Sequence, residues 1–415
     1  MAPIYMFSAH PLIVLLPLAV AILCSVVLAR FRAAPQSGGR YRSIDGLRGY
    51  LAFCVFLHHS MIWYLFTRTG RWEAPPSHLF TQFGEASVSF FFMITAFLFY
   101  GKLLDNKKSE TDWLAFFVGR TLRLAPLYFL LICLVMALVL VESKGIRVDS
   151  LPHLIKVIGH WFLFTVFDEP LINGVFVQRF LAGVNWSLPY EWYFYLSMPI
   201  LALSTGQRGK WQYLLLSLLA MVFAFGHATR TDLVEVFGFG IIAAVFVRFD
   251  GLRKFARTWA ASATAVACLA VLVFWFPTAY GFPQRMLLGI AFILIAAGAD
   301  LFGILSASVS QALGDLSYGI YLLHGLVLFL FIHYAAGEQL VRQMSPQVYW
   351  SLIAALVPVL LALSSLAFRF VELPAIQSTR HVVAWLRHQG LRVANLSFTD
   401  PLEGRNDRDL GGPFA

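Results

Sequence analysis

The sequence predicts an all-α, polytopic membrane helix bundle, a ten-helix core preceded by one N-terminal helix. Three observations carry this. Of 415 residues 59% are hydrophobic and 13% charged, with 39 Phe, a balance that excludes an ordinary soluble domain. Apolar runs of spanning length recur eleven times, near 11–29, 46–66, 84–104, 122–141, 186–203, 211–227, 233–249, 257–276, 284–299, 317–334 and 347–369. With the N-terminus outside, 22 of the 31 Lys and Arg fall on the inner side, the bias that orients membrane proteins. The net charge of +9 is then mostly a topology signal, and with no aromatic-basic reading surface a nucleic-acid partner is not expected.

The first run has no Lys or Arg before Arg30, and Arg30, Arg32, Arg40 and Arg42 follow it. A cleaved signal peptide has the opposite flanks, so this is expected to be an uncleaved anchor with its N-terminus outside. The linker 33–42, with Pro35, Gly38 and Gly39, sets it apart. The expected organisation is an anchor and basic linker over 1–40, a membrane domain over 41–374, and a cytoplasmic tail over 375–415.

The second helix carries the most chemistry. Tyr41-Arg-Ser-Ile-Asp45-Gly-Leu-Arg48-Gly leads into a segment holding His58 and His59. Arg48 and His59 are eleven residues apart, which is three helical turns plus about 20°, so they share a face roughly 16 Å apart along the axis. Asp45 lies about 40° from that face and His58 about 80° away. A carboxylate and a guanidinium thus stand at the membrane edge, with an imidazole near mid-membrane. An imidazole at that depth is costly and marks a functional position, or else a hydrogen-bonding tie between helices.

In the third helix Ala86, Ser89, Thr95 and Ala96 are small enough to admit a neighbouring helix. A polar loop, 105–112, follows, with Lys107 and Lys108. Then come Arg120 and Arg123, three apart at a cytoplasmic helix entrance. That placement suits phosphates arriving from the cytoplasm or anionic lipid headgroups. The long outer loop 142–185 contains a short apolar run, 154–167, that Lys156 and His160 make interfacial.

The next helix begins Asn185-Trp186-Ser187-Leu188-Pro189-Tyr190-Glu191-Trp192. Asn185 or Ser187 is expected to cap it, with Pro189 tolerated in the first turn. Glu191 is expected one turn inside on the outer side. Its carboxylate either profits from the helix dipole or contacts an acceptor hydroxyl beside a Trp/Tyr surface that also suits an interfacial belt.

The four helices from 211 to 299 read as scaffold, and 233–249 and 284–299 are short for a crossing. Ser317, Tyr321 and His324 then recur at i, i+4 and i+7, a second polar stripe on one helix face. The last spanning run ends Val371-Glu372-Leu-Pro374. Beyond it, 380–396 mixes apolar and basic residues as a surface-lying amphipathic helix does, and the end from Thr399 is expected to be disordered. Cys24, Cys54, Cys133 and Cys268 are scattered singly and fit neither a metal pattern nor a disulfide framework.

Over 41–374 the chain resembles the acyltransferase-3 family of bacterial membrane proteins. The resemblance rests on Asp45-Gly-Leu-Arg48 with its spacing to His59, Ser89-Phe-Phe-Phe, Arg120/Arg123/Pro126/Tyr128, Trp186-Ser-Leu-x-x-Glu191, Ser317-Tyr-Gly-Ile-Tyr321-Leu-Leu-His324 and Val371-Glu372-Leu-Pro374. Two departures stand out: Thr95-Ala96-Phe97 where Ser-Gly-Phe is usual, and Trp192 where a second glutamate often follows Glu191. No fused extracytoplasmic hydrolase-like domain is expected.

The resemblance implies an O-acyltransferase of the bacterial inner membrane, with its N-terminus outside and C-terminus cytoplasmic. It would move an acyl group, commonly acetyl, from acyl-CoA (acetyl-CoA) to a glycan or lipid-linked sugar hydroxyl. Acyl-CoA is then a donor substrate, and no tightly bound cofactor or metal is expected. Arg48, Arg120 and Arg123 would hold coenzyme A phosphates, with Arg48 and His59 catalytic. His59 would serve as general base or as the carrier of a covalent acyl group. Asp45, Trp186, Ser187, Glu191, Tyr321 and His324 would line the acceptor path. The rival readings are a glycan or lipid transporter, against which the lack of an evident internal repeat speaks, and a non-catalytic partner in polysaccharide assembly.

Overall fold

The computed structural model describes residues 11–30, 41–106, 110–166, 171–207, 209–227 and 230–397. Arg32, Arg40, Lys107, Lys108, Arg208, the 33–40 part of the linker and the end from Thr399 lie outside the described residues. The helices in chain order are α1 (Leu15–Arg30), α2 (Arg42–Thr69), α3 (His78–Asp105), α4 (Trp113–Glu142), α5 (Leu151–Phe162), α6 (Ser187–Leu203), α7 (Trp211–His227), α8 (Thr231–Phe246) and α9 (Asp250–Ala256). They continue with α10 (Trp259–Trp275), α11 (Phe282–Ala297), α12 (Ser308–Asp315), α13 (Ser317–Phe329), α14 (Glu338–Gln343), α15 (Pro346–Ala367), α16 (Leu373–Gln377) and α17 (Thr379–Ser397). Among the described residues the β structure is a two-residue hairpin, Leu171–Ile172 with Val175–Phe176.

The chain is an all-α polytopic bundle, and each of the eleven expected runs is helical. Among the described residues six helical segments are long and apolar enough to cross a membrane: Leu12–Arg30, Arg42–Thr69, His78–Asp105, Trp113–Glu142, Ser317–Ala336 and Pro346–Gln389. The other five, α6, α7, α8, α10 and α11, have 16 or 17 residues. At 1.5 Å per residue that is about 24–26 Å, short of a hydrocarbon core of about 30 Å. Helices α9 and α10 meet at a 78° bend. Helix α5 covers most of the run expected at the interface, and Val157 and Trp161 are its buried residues.

Helix α2 is the hub, packed between α3, α12 and α13. Glycines set these spacings: a Cβ at Gly49 would come within 2.6 Å of the Leu313 backbone, and one at Gly240 within 2.7 Å of Ala96 Cβ. The small residues of α3 thus admit α8, as their size suggests. Helix α1 lies at the edge, against α15 and α12, with Leu15, Leu16 and Leu23 exposed. The four cysteines are unpaired.

One sequence expectation fails around α6. Neither Asn185 nor Ser187 caps it; Trp186 occupies the cap position without a side-chain bond. The Ser187 hydroxyl instead bonds the Val184 carbonyl and the Tyr321 hydroxyl, at 3.1 and 2.7 Å. The second half of the 142–185 loop turns into the bundle. Val177, Phe180, Leu181 and Val184 are buried, and a Cβ on Gly325 would lie 2.7 Å from the Ala182 nitrogen. Apolar side chains draw this segment inward against α13, so α6 starts within the bundle.

Candidate functional site

Helices α2 and α12–α13 run side by side in register. Gly49 abuts Leu313 and Gly314, and ten residues further along each helical segment His59 meets His324. The histidine layer therefore stands about 15 Å above the glycine layer.

Within that layer the hydrogen bonds determine the tautomers. His324 Nδ1 is 3.0 Å from the Ile320 carbonyl, and His59 Nδ1 is 3.0 Å from the Val55 carbonyl. A carbonyl only accepts, so both Nδ1 atoms carry hydrogen. His324 Nε2 is 3.0 Å from His59 Nδ1, so it holds a lone pair and accepts. The remaining ring nitrogen, His59 Nε2, is left with an unshared lone pair. His324 is fully buried while His59 keeps partial exposure. His58 donates from Nδ1 to the Phe80 carbonyl at 2.7 Å and lies flat on Gly84, where a Cβ would sit 2.7 Å from the ring.

Toward the α2 N-terminal end lies a cavity of about 160 Å³. Arg48, Arg120, Arg123 and Glu191 supply its charges, and Tyr195, Ser317 and Tyr321 its further polar groups. Ser187, Glu191 and Tyr195 are spaced i, i+4 and i+8 on α6, so one helix face fills one wall. Val88, Phe92 and Thr95 of α3 line the cavity as well.

The three guanidiniums differ. Arg123 is bound to Glu372, whose side chain is wholly buried, and lies over the Tyr318 ring at 5.3 Å. Arg120 stands over the Phe99 ring at 4.7 Å. Arg48 makes no hydrogen bond or ion pair among the described residues, and feels the like charge of Arg123 ahead of the opposite charges of Asp45 and Glu191. A planar fork of five donors facing a cavity suits an anion.

The structure thus brings together, in or beside one space, Arg48, Arg120, Arg123, Ser187, Glu191 and Tyr321, with His59 and His324 one layer above. Glu191 lies with the arginines rather than on the outer side, because α6 begins deep and runs toward them. It accepts from the Tyr195 hydroxyl. Asp45 and Trp186 are outside the lining; Trp186 is 38% exposed and packs edge-on to Phe92. Sequence reasoning passed over Glu372 as a partner of Arg123 and Tyr195 as a partner of Glu191. The i, i+4 spacing of Glu191 and Tyr195 was a usable signal. A pairing 249 residues apart, that of Arg123 with Glu372, leaves none.

A family model described as an acyltransferase domain matches residues 41–369. The chain is also similar to nodulation protein 10 of Rhizobium leguminosarum bv. viciae, 24% identical over 335 residues that cover 72% of this chain and 85% of that protein. No solved structure matches. With that family match spanning the bundle from the Tyr41 turn to the end of the last long helix, the chain belongs to the acyltransferase-3 family of multi-pass membrane acyltransferases.

Proposed function

We propose that the protein is an O-acyltransferase of the bacterial inner membrane that moves an acetyl group from cytoplasmic acetyl-CoA to a sugar hydroxyl of a glycan or glycolipid. The observation that carries this reading is the pairing of a cavity bearing unengaged Arg48 with a histidine layer that leaves His59 Nε2 basic. The Lys/Arg bias supports a topology with the α2 N-terminal end at the cytoplasm and the N-terminus outside. Coenzyme A phosphates would then meet Arg48 and Arg120, with Arg123 held in place by Glu372. A cavity of about 160 Å³ is smaller than the roughly 300 Å³ of a small-ligand site. It suits the donor's pyrophosphate and the start of its slender arm, leaving the adenosine outside.

In the transfer step the acceptor O–H gives its proton to His59 Nε2 as its oxygen attacks the thioester carbonyl. The new C–O bond forms, the C–S bond breaks, and the departing thiolate takes the proton. General-base help of this kind contributes about 10²–10⁴ in rate. The alternative order, with the acyl group resting on His59 first, uses the same lone pair.

The test is transfer of label from acetyl-CoA by purified protein in lipid vesicles, comparing wild type with His59→Ala and Arg48→Ala. Loss of label from coenzyme A in wild type alone supports the reading. Equal activity in His59→Ala removes it, and silence of all three proteins favours a carrier or assembly partner.

A further inference from the structure

We infer that the opposite end of the bundle holds a second binding site, built from Glu85, Arg230 and Tyr280, that receives the acceptor as a neutral, hydroxyl-rich ligand of the sugar class. This rests on the acyltransfer reading and locates the acceptor within it.

Glu85, Val88 and Phe92 are spaced i, i+3 and i+7 on α3, so Glu85 continues toward the α2 C-terminal end the stripe that walls the cavity. It directly follows Gly84, against which the His58 ring lies, and His58 and His59 are neighbouring rings 4.8 Å apart. Both histidines keep partial exposure on a hub helix flanked by buried residues, and Glu85 is the neighbour of the α3 residue on which the His58 ring packs.

Its carboxylate is half engaged. Oε2 accepts the Ala279 backbone N–H at 2.7 Å, and Oε1 takes no hydrogen bond among the described residues. Arg230 and Asp232 lie within electrostatic reach. Arg230 stacks on the Tyr280 ring at 3.9 Å and bonds Asp232 at 3.1 and 2.6 Å. Arg285 bonds Glu235 at 2.6 Å. These two pairs are self-contained, leaving Glu85 the carboxyl of the cluster that has no hydrogen bond to an arginine among the described residues.

The two ends therefore differ in sign. Around the cavity three arginines meet two carboxylates, Glu191 and the Glu372 that holds Arg123, whereas the Glu85 cluster has three carboxylates to two arginines. A phosphorylated donor is drawn to the first and repelled by the second. A hydroxyl donates to the open Glu85 oxygen, and the Arg230 N–H groups and Tyr280 hydroxyl meet the oxygens of the same ring. A long-chain alcohol offers one hydroxyl and no use for the other groups.

The experiment uses full-length protein in lipid nanodiscs with labelled acetyl-CoA. The acceptors are methyl glycosides of glucose, galactose, mannose, N-acetylglucosamine and fucose, with dodecanol as the apolar alternative. Coenzyme A affinity is measured in parallel. Glu85→Gln keeps an oxygen for the Ala279 N–H, and Tyr280→Phe keeps the ring under Arg230. A hydrogen bond to a charged group is worth about 1.5–3 kcal/mol. The expected result is thus an acceptor KM raised about tenfold or more in Glu85→Gln, a smaller rise in Tyr280→Phe, and coenzyme A affinity within about twofold of wild type. Unchanged glycoside KM in both variants overturns the site. Coenzyme A binding by a wild type that acylates dodecanol, or none of the probes, overturns the sugar class while sparing the donor reading. No coenzyme A binding at all removes the donor reading, and this inference with it.

Discussion

Replacing His324 by Phe tests the tautomer assignment, because it removes one defined hydrogen bond to the base, together with the bond of His324 to its own helix at Ile320, and leaves the base in place. His59 Nδ1–H then retains the Val55 carbonyl at 3.0 Å and loses the His324 Nε2 acceptor, also at 3.0 Å. A net hydrogen bond is worth about 0.5–1.5 kcal/mol, and about 1.4 kcal/mol is a tenfold change in rate. Acyl transfer in His324→Phe should therefore fall by about twofold to tenfold, with coenzyme A affinity unchanged. His59→Ala should fall by about 10²–10⁴. His324→Gln, which offers an amide oxygen to the same N–H, should recover part of the loss, and the double variant should match His59→Ala alone. The assay is initial-rate label transfer from acetyl-CoA at saturating donor. A His324→Phe defect as deep as that of His59→Ala, with no recovery in Gln, would refute the assignment of the free lone pair to His59 and make His324 the reacting imidazole.

Other consequences follow from the packing. Glu372→Gln leaves the Arg123 guanidinium without its buried partner, so detergent-solubilised protein should lose about 3–5 kcal/mol of stability, read as an earlier thermal transition. The Arg123→Gln/Glu372→Gln pair should recover much of it. Gly49→Ala places a methyl 2.6 Å from the Leu313 backbone and should cost about 1–3 kcal/mol together with activity, since Arg48 is the next residue inward. Gly101→Ala, with no atom within 4 Å of the new Cβ, should be neutral in the same measurements. Burial alone would raise the Asp112 carboxyl, but the Ala115 N–H and Arg387 outweigh it and hold it below its ordinary value. Its stabilising contribution is present at neutral pH and lost as pH falls through the lowered value. The protection of α17 amides, corrected for the intrinsic pH dependence of exchange, should fall in acid and hold steady between about pH 6 and pH 8, because Arg387 ties α17 to Asp112.

Composition and apolar run length determined by themselves that this is a helical membrane bundle, and they located its helices. A bilayer forces every backbone polar group to be paired within the segment, so hydrophobic length maps directly onto helices. Helical periodicity also put Arg48 and His59 on one face, and Ser317, Tyr321 and His324 on another, since 3.6 residues per turn is a local property. Crossing number was less legible: helices of 16 or 17 residues fall between a full span and a buried segment. Only the tertiary structure decided depth and partnership. Glu191 reads as an outer-side residue until Phe180, Leu181 and Val184 are seen to pull the preceding loop inward. Arg123 reads as free until Glu372 closes on it across 249 positions. The roles of His59 and His324 rest on which ring nitrogen faces which carbonyl. Those arrangements come from side chains packing across helices distant in sequence, and no periodicity within one helix encodes them.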